Sequence, residues 1–417
     1  MRPRVNKLEL TWIGKDRRLR LEPRVFVERK ERSVGPRPVS SSTDAEPNLL
    51  IHGDSLLALK ALEPQFAGKV KCIYIDPPYN TGSAFEHYDD GVEHSIWLSM
   101  MREHLELLHT LLQDDGIVFV QIDDREVAYL HVLMDEIFGR SNRMNLIAVK
   151  MSEVSGVKMA HVDRRLPKLK EFILVYGKRP DVTINPIRVT KPPEKLEKYL
   201  KYYANIIENP HDAPEQWSIV KVKEYLTARG LPTTKAAVRQ FQLQERHRIV
   251  YRTNNRTLAG LSFHTKTAKV TSATGIEYIW WEGKQMLFLA DYCEEYLGDL
   301  WTDISTINLN KEGGVDFRNG KKPEALIRRV LEMASQPGDL VLDSFAGSGT
   351  TAAVAHKLGR RWITIEKGDQ CVTHAHPRLT RVVTGEDEGG ISRSVGWTGG
   401  GAFRFYELAP SLMRRNE

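Results

Sequence analysis

From Asn48 onward, apolar residues fall into short unbroken runs separated by longer stretches in which they recur every three to four positions. Asn48-Leu49-Leu50-Ile51, VKCIYI (70–75) and GIVFVQI (116–122) are too short for helices and rich in β-branched and aromatic residues. Each predicts a strand buried on both faces. Between and after them, SLLALKAL (55–62), HSIWLSMMREHLELLHTLL (94–112) and REVAYLHVLMDEIF (125–138) carry helical spacing. In the second of these, Trp97, Met101, Leu105, Leu108 and Leu112 share one face. Strands alternating with helices predict a parallel sheet with helices on both sides. After Lys150 the rhythm lapses into basic helical pieces, KLEKYLKYY and KAAVRQFQLQERHRIV, mixed with short aromatic strands, GIEYIWW and MLFLA. It resumes with a helix in KPEALIRRVLEMA (322–334), a strand in DLVLDSF (339–345), a helix in GTTAAVAHKLG (349–359) and a strand in RWITIE (361–366).

The simplest organisation is one α/β sheet domain split in sequence by an insertion long enough to be a small domain itself. Residues 1–48 form a basic, Pro- and Ser-rich arm, 49–150 the first part of the sheet domain, 151–320 the insertion and 321–417 the second part. Charge sharpens this division. The 417 residues carry a net +6, yet residues 150–270 hold 24 Lys and Arg against 11 Asp and Glu, and residues 1–40 hold 12 against 5. An otherwise acidic body with two basic segments fits a polyanionic partner, although solvated lysine faces give the same count.

No apolar run reaches membrane-spanning length, and MRPRVNKLEL lacks the apolar core of a signal peptide. The three cysteines, Cys72, Cys293 and Cys371, are far apart with no CxxC pair. The expectation is a cytoplasmic protein without disulfides or structural zinc. Cys371, His374 and His376 have the spacing of a partial metal site but lack a fourth ligand, so no metal is expected.

Two stretches carry chemistry. VKCIYI runs straight into Asp76-Pro77-Pro78-Tyr79, and a buried strand ends where two successive amides are missing. The Asp76 carboxylate, the Pro77 carbonyl and the Tyr79 ring are thereby held on a stiff turn at the sheet's carboxyl edge, where open α/β sheets bind ligands. In FAGSGTT (345–351), a strand delivers Phe345-Ala346-Gly347-Ser348-Gly349 to a helix start, presenting free amides on a backbone that a ligand can approach closely. Glu366 follows Gly347 by 19 residues and ends the next strand, placed to accept ribose hydroxyls. The spacing alone admits NAD, with Ala352 as third glycine, but no second nucleotide-binding half follows, and the GxxxxGK[ST] loop of nucleoside triphosphatases is absent. A turn built only for tight packing is the alternative reading of the glycines. Asp54, at the end of the first strand, either caps the helix after it or meets a ligand, and the two roles are compatible.

DPPY followed, in this order, by FAGSGTT resembles the amino-methylating DNA methyltransferases that use S-adenosylmethionine, in the arrangement of their β group. HGDSLLALKAL, KVKCIYIDPPYNTG, KKPEALI and the closing GWTGGGAFRFYEL are similar to modification subunits of type III restriction systems and their solitary relatives. The resemblance covers residues 49–150 and 303–408. It implies a Rossmann-like methyltransferase sheet, circularly permuted in motif order, with residues 151–320 as an inserted target-recognition domain. It further implies that Asp76, Pro77, Pro78 and Tyr79 clamp an exocyclic amine whose lone pair is delocalised into a base. Two acceptors, the Asp76 carboxylate and the Pro77 carbonyl, draw the nitrogen toward tetrahedral geometry, and Tyr79 stacks on a base turned out of the duplex.

By the same matching, Asp54 receives the cofactor's adenine amino group and Glu366 its ribose. Phe345, Gly347 and Gly349 line it, Asp343 meets its methionyl ammonium, and Thr350 and Lys322 its carboxylate. The implied reaction is methylation of adenine N6 in double-stranded DNA. Cytosine N4 needs the same two acceptors; in the family, Ser at the first clamp position usually accompanies cytosine and Asp adenine. A non-catalytic DNA-binding regulator is a more distant alternative. A homodimer and a separate restriction subunit are the further partners implied.

Overall fold

The apolar runs pair into one ten-stranded sheet. Its strands in chain order are β1 (Phe26–Glu28), β2 (Asn48–His52), β3 (Val70–Ile75), β4 (Leu112–Ile122), β5 (Arg143–Lys150), β6 (Lys170–Gly177), β7 (Leu300–Trp301), β8 (Leu340–Asp343), β9 (Arg361–Glu366) and β10 (Phe403–Leu408). The helices associated with it are α1 (Ser55–Phe66), α2 (His94–Leu111), α3 (Val127–Met134), α4 (Glu324–Ala334), α5 (Thr350–Lys357) and α6 (His376–Thr384). This computed structural model describes residues 9–37, 47–80, 93–152, 164, 166–253, 267–271, 277–281, 283–307, 309–317 and 320–411. Thr81 and Gly82 of the DPPYNTG stretch, the first eight residues and residues 38–46 of the basic arm lie outside them.

The strands run in the order β1-β10-β2-β9-β8-β3-β4-β6-β5-β7. From β10 to β4 all neighbours are parallel, whereas β6 is antiparallel to both β4 and β5. The two motif strands are therefore neighbours, with Val341 opposite Cys72 and Leu342 opposite Ile73. From β3 the chain crosses over through α2 to β4 on one side, and from β8 through α5 to β9 on the other. The β3–β8 pair is the topological switch point, where diverging crossovers leave a crevice at the carboxyl edge.

Burial explains why the strands read as continuous apolar runs. Ile73, Ile75, Val118, Val120, Leu342, Ile363 and Ile365 form one core with Leu59 and Leu62 of α1, Trp97, Met101 and Leu105 of α2 and Leu130 of α3. The alternate positions, Cys72, Phe119, Val341 and Trp362, are buried as fully, on the side served by α4 and α5. All three cysteines are buried and unpaired.

The structure divides the chain differently from the pattern reading. Its compact units are residues 1–185 with 298–417, and residues 186–297. Residues 170–177, placed by pattern in the insertion, are β6, which lies between β4 and β5 and completes the sheet. The N-terminal arm is also more than a linker. Phe26–Glu28 pairs with β10, the Trp12 indole donates to Ser99 at 2.8 Å, and Arg18 and Arg29 ion-pair with Glu106 and Glu407. Those cations are thus neutralised within the chain.

The smaller unit has an antiparallel sheet in the order Thr267–Thr271, Glu277–Trp281, Lys284–Phe288, Ile249–Thr253, Asn205–Ile207, Ile219–Lys221. Its helix Lys235–Gln244 stops earlier than KAAVRQFQLQERHRIV suggests, because Ile249 and Val250 leave the helical face to pair with the strands beside them.

Candidate active site

At the end of β3, Asp76 leads into two prolines, and the loop is fixed from behind. The indole of Trp97, 1% exposed, donates to the Pro78 carbonyl at 2.8 Å. Asn80 sits in the left-handed region at φ 56°, and its amide donates to Glu126 at 2.9 Å. Asparagine tolerates that conformation better than most residues with a side chain, and the bond to Glu126 holds it there.

Across the crevice, β8 ends at Asp343, whose carboxylate accepts the Phe345 amide at 2.9 Å and turns the chain into the glycine loop. Gly349, at φ 78°, directly precedes α5; a side chain there would be strained by the left-handed backbone and its Cβ would stand a tight 3.3 Å from Ala375. The Gly347 amide donates to Glu366 at 2.7 Å.

Asp76, Pro77, Pro78, Tyr79, Lys322, Asp343, Phe345, Gly347 and Thr350 line one cavity. Three predicted residues lie just behind it. Gly349 is the left-handed turn residue already described. Glu366 is 3% exposed and accepts amides of Gly347, Lys367 and Gly368 together with the Gln370 side chain. Asp54 caps α1 through the amides of Leu56 and Leu57 and pairs with Lys367 at 3.1 Å. The imidazole beside it, His104, accepts from or donates to Ser55 and lies 5.1 Å from the Phe345 ring.

The arrangement at Asp76 is asymmetric. Oδ2 pairs with the Lys322 ammonium at 2.7 Å, while the buried Oδ1 has no hydrogen-bond partner among the described residues. Lys322 was expected at a cofactor's carboxylate; here it pairs with Asp76 and lies 4.9 Å from the Tyr79 ring centroid. Burial pushes the Asp76 carboxyl above its ordinary range, with the Lys322 ammonium opposing. Burial works against the charge of Lys322, but Asp76 and Glu171 outweigh it and hold that ammonium above its usual value. Burial pushes Asp343 up to about 7.

Two groups here were missed by the sequence reading. Glu171 at the start of β6 accepts the Tyr79 hydroxyl at 2.8 Å. A wholly buried charge cluster supports the glycine loop: Arg378 of α6 donates to Thr350 at 2.6 Å and Ser348 at 3.2 Å and pairs with Glu324 at 2.7 Å. Lys357 joins Glu324 at 2.7 Å and Asp387 at 2.8 Å. The only signal in the sequence was the presence of charged residues on otherwise apolar helices, which normally marks a solvent face.

The Cys371, His374 and His376 side chains do not converge. His374 and His376 meet the carbonyls of Asp316 and Arg32, while Cys371 is buried. Among the described residues no three His, Cys, Asp or Glu side chains gather as a metal site, and no helix is long and apolar enough to cross a membrane. Asp123, another acid at the carboxyl edge, accepts the Arg125 amide as the chain turns toward α3.

Fold and site together define a doubly wound, Rossmann-like α/β protein in which a glycine loop and a proline-bounded carboxylate face each other across the switch point. A DNA methylase family model, N6_N4_Mtase, matches residues 70–376, from β3 to the start of α6, and the chain belongs to that family. It is 40% identical over 427 residues to the probable type III restriction-modification enzyme HindVI Mod subunit of Haemophilus influenzae, covering 89% of this chain and 55% of that protein. To the type III restriction-modification enzyme EcoPI Mod subunit of Escherichia phage P1 it is 28% identical over 404 residues, covering 77% of this chain and 58% of that one. The chain thus spans a little over half the length of these relatives. Among solved structures, the PvuII DNA methyltransferase (cytosine-N4-specific) aligns with a TM-score of 0.45 at 12% identity, over 85% of this chain and 91% of that chain.

Proposed function

We propose that this chain methylates DNA, transferring a methyl group from S-adenosylmethionine to the N6 amine of an adenine turned out of the duplex. The observation that carries the reading is the Asp76 carboxylate, whose buried Oδ1 has no hydrogen-bond partner among the described residues although the Tyr79 hydroxyl lies close to the group. Leaving a buried acceptor unsatisfied costs about 1–3 kcal/mol, a cost that a ligand N–H removes. The Pro77 carbonyl is the second acceptor on the same turn. Trp97 occupies the Pro78 carbonyl and so holds the turn in place. Together the two acceptors orient the amine's lone pair outward, and the Tyr79 ring supports the plane of the base.

The residues facing this clamp fit the cofactor. Asp343 suits an ammonium, Thr350 and the loop amides a carboxylate and Phe345 an adenine; Glu366 and Asp54, behind the cavity, would meet the outer polar groups by exchanging some of the protein donors they now accept. When bound, S-adenosylmethionine supplies an electrophilic methyl group on a sulfonium. The basic unit 186–297 is assigned to target recognition, and Tyr199 and Tyr202, 44% and 48% exposed beside Lys198 and Lys201, suit contact with bases and phosphates. A separate restriction subunit, suggested by the names of the Mod relatives, and a second copy of the chain are the proposed protein partners.

Labelled methyl transfer to duplex DNA, followed by nucleoside analysis, tests the reading. N6-methyladenine is the expected product. N4-methylcytosine would keep the amine clamp and overturn the choice of base, whereas absence of transfer with cofactor present would overturn the reaction.

Asp343 adds a pH dependence. With its carboxyl pushed up to about 7 by burial, it is neutral below that pH and anionic above it. Cofactor affinity measured by calorimetry should therefore climb with pH below about 7, by up to about tenfold per unit, and level off above it. In Asp343→Asn the affinity should be weaker and this rise absent. A rise that persists in the variant would assign the titration elsewhere.

A further inference from the structure

Glu171 stands where local sequence gives no reason to look for an active-site group. β6 runs antiparallel to β4, with Ile173 opposite Gln121, so the start of β6 lies at the carboxyl edge where β3 and β4 end. That reversal brings the Glu171 carboxylate into the wall of the cavity beside Asp76 and Tyr79. One oxygen, Oε2, accepts both the Tyr79 hydroxyl at 2.8 Å and the Gln121 amide at 2.6 Å. Gln121, fully buried, in turn accepts the Tyr74 hydroxyl at 2.5 Å. The chain of bonds fixes which way each amide and hydroxyl points, and it terminates on Glu171. The Lys322 ammonium, 7% exposed, lies 2.7 Å from Asp76 and 3.7 Å from Glu171, one cation between two carboxylates.

This arrangement matters for a weakly acidic amine. A carboxylate that holds an ammonium alone is a poorer acceptor than one that shares it with a second anion, because the shared cation withdraws less of its charge. Resting on the methyl-transfer reading above, we propose that Glu171 is a positioning residue of the clamp. It fixes the Tyr79 ring through the hydroxyl and draws the Lys322 charge partly from Asp76, so that Asp76 meets the amine as a strong acceptor.

The test uses the full chain, duplex DNA and S-adenosylmethionine, with Glu171→Gln, Glu171→Ala, Tyr79→Phe and the Glu171→Ala/Tyr79→Phe double variant. Glu171→Gln keeps an acceptor for Tyr79 and removes only the charge. Its kcat should fall about tenfold. The groups facing Glu171 and Asp76 are Lys322, Tyr74 and Tyr79, with Asp343 further along the cavity, and the negative charge of Glu171 raises the Asp76 carboxyl. Removing that charge should move the acid limb of the kcat profile to lower pH. Glu171→Ala and Tyr79→Phe break the same hydrogen bond, so the double variant should be no worse than Glu171→Ala alone.

An active wild type whose Glu171 variants keep full rate and an unmoved pH profile would overturn this inference and leave the methyl-transfer reading intact. So would rates that fall only in step with the urea midpoint, since that marks a packing role. A wild type that transfers no methyl group to DNA would overturn the underlying reading and this inference with it.

Discussion

Asp76→Ala is expected to reduce methyl transfer by a factor on the order of 10³, while the chain still binds S-adenosylmethionine. The carboxylate acts where charge develops, since the amine nitrogen becomes cationic as it gains the methyl group, and an acceptor lost there is lost mainly from the transition state. The ion pair complicates the alanine variant. Without Asp76, the carboxylate left beside the buried Lys322 among the described residues is Glu171 at 3.7 Å, so some stability is lost as well. Asp76→Asn separates the two effects by keeping the volume and one acceptor oxygen while removing the charge. It should lie between wild type and alanine in rate. Cofactor affinity within about threefold of wild type in both variants would show that the cofactor side is intact. Near-normal turnover in either would remove Asp76 from the clamp.

The largest effect on stability is expected from Glu324→Ala. This carboxylate is 0% exposed and accepts Lys357 at 2.7 and 3.0 Å, Arg378 at 2.7 Å and the Ile391 amide at 3.0 Å. Its removal leaves buried Lys357 with Asp387 and strips Arg378 of its paired carboxylate, leaving it the Thr350 and Ser348 hydroxyls, and breaking a buried pair from one side costs about 3–5 kcal/mol. That is a large part of the about 5–15 kcal/mol that typically holds a domain together. Chemical denaturation should show it as a lowered midpoint, and a shift equivalent to less than about 1 kcal/mol would show that the cluster relaxes around the loss.

The pH dependence has a definite sign. Burial opposes the Glu324 charge, but Arg378 and Lys357 outweigh it and hold the carboxyl below its ordinary 4.5. The stabilisation is therefore present above about pH 4.5 and disappears as pH falls through the lowered value. Arg378 also carries Thr350 and Ser348, so the same variant should weaken cofactor binding without touching the clamp.

Much of this site was legible locally. Successive prolines after an apolar run end a strand wherever they occur, so the position of Asp76 at a sheet edge followed from four residues. The glycine loop before α5 and the acid that ends β9 were visible by spacing, because strand, turn and helix lengths vary little within one βα unit. The cap at Asp54 was equally local, since a carboxylate before a helix needs only the next two amides. The boundary of the insertion was not legible. KEFILVYG reads as a strand anywhere, and only its pairing with β4 and β5 reveals that it belongs to the sheet. Lys322 pointed to a cofactor's carboxylate by motif, but nothing in KKPEALI indicates that its ammonium reaches Asp76, which is 246 residues earlier.

By itself, the sequence determined the elements, the order of the two motifs and the residue types carried by the proposed clamp, because these depend on backbone donors, side-chain periodicity and residue type within a few positions. Only the tertiary structure decided which strands are neighbours and which charges meet. The approach of β3 and β8, the return of β6 that delivers Glu171, and the burial of Glu324, Lys357 and Arg378 against one another all join residues distant in sequence. Each depends on closing long stretches of chain and on removing water from both partners, and a local pattern records neither.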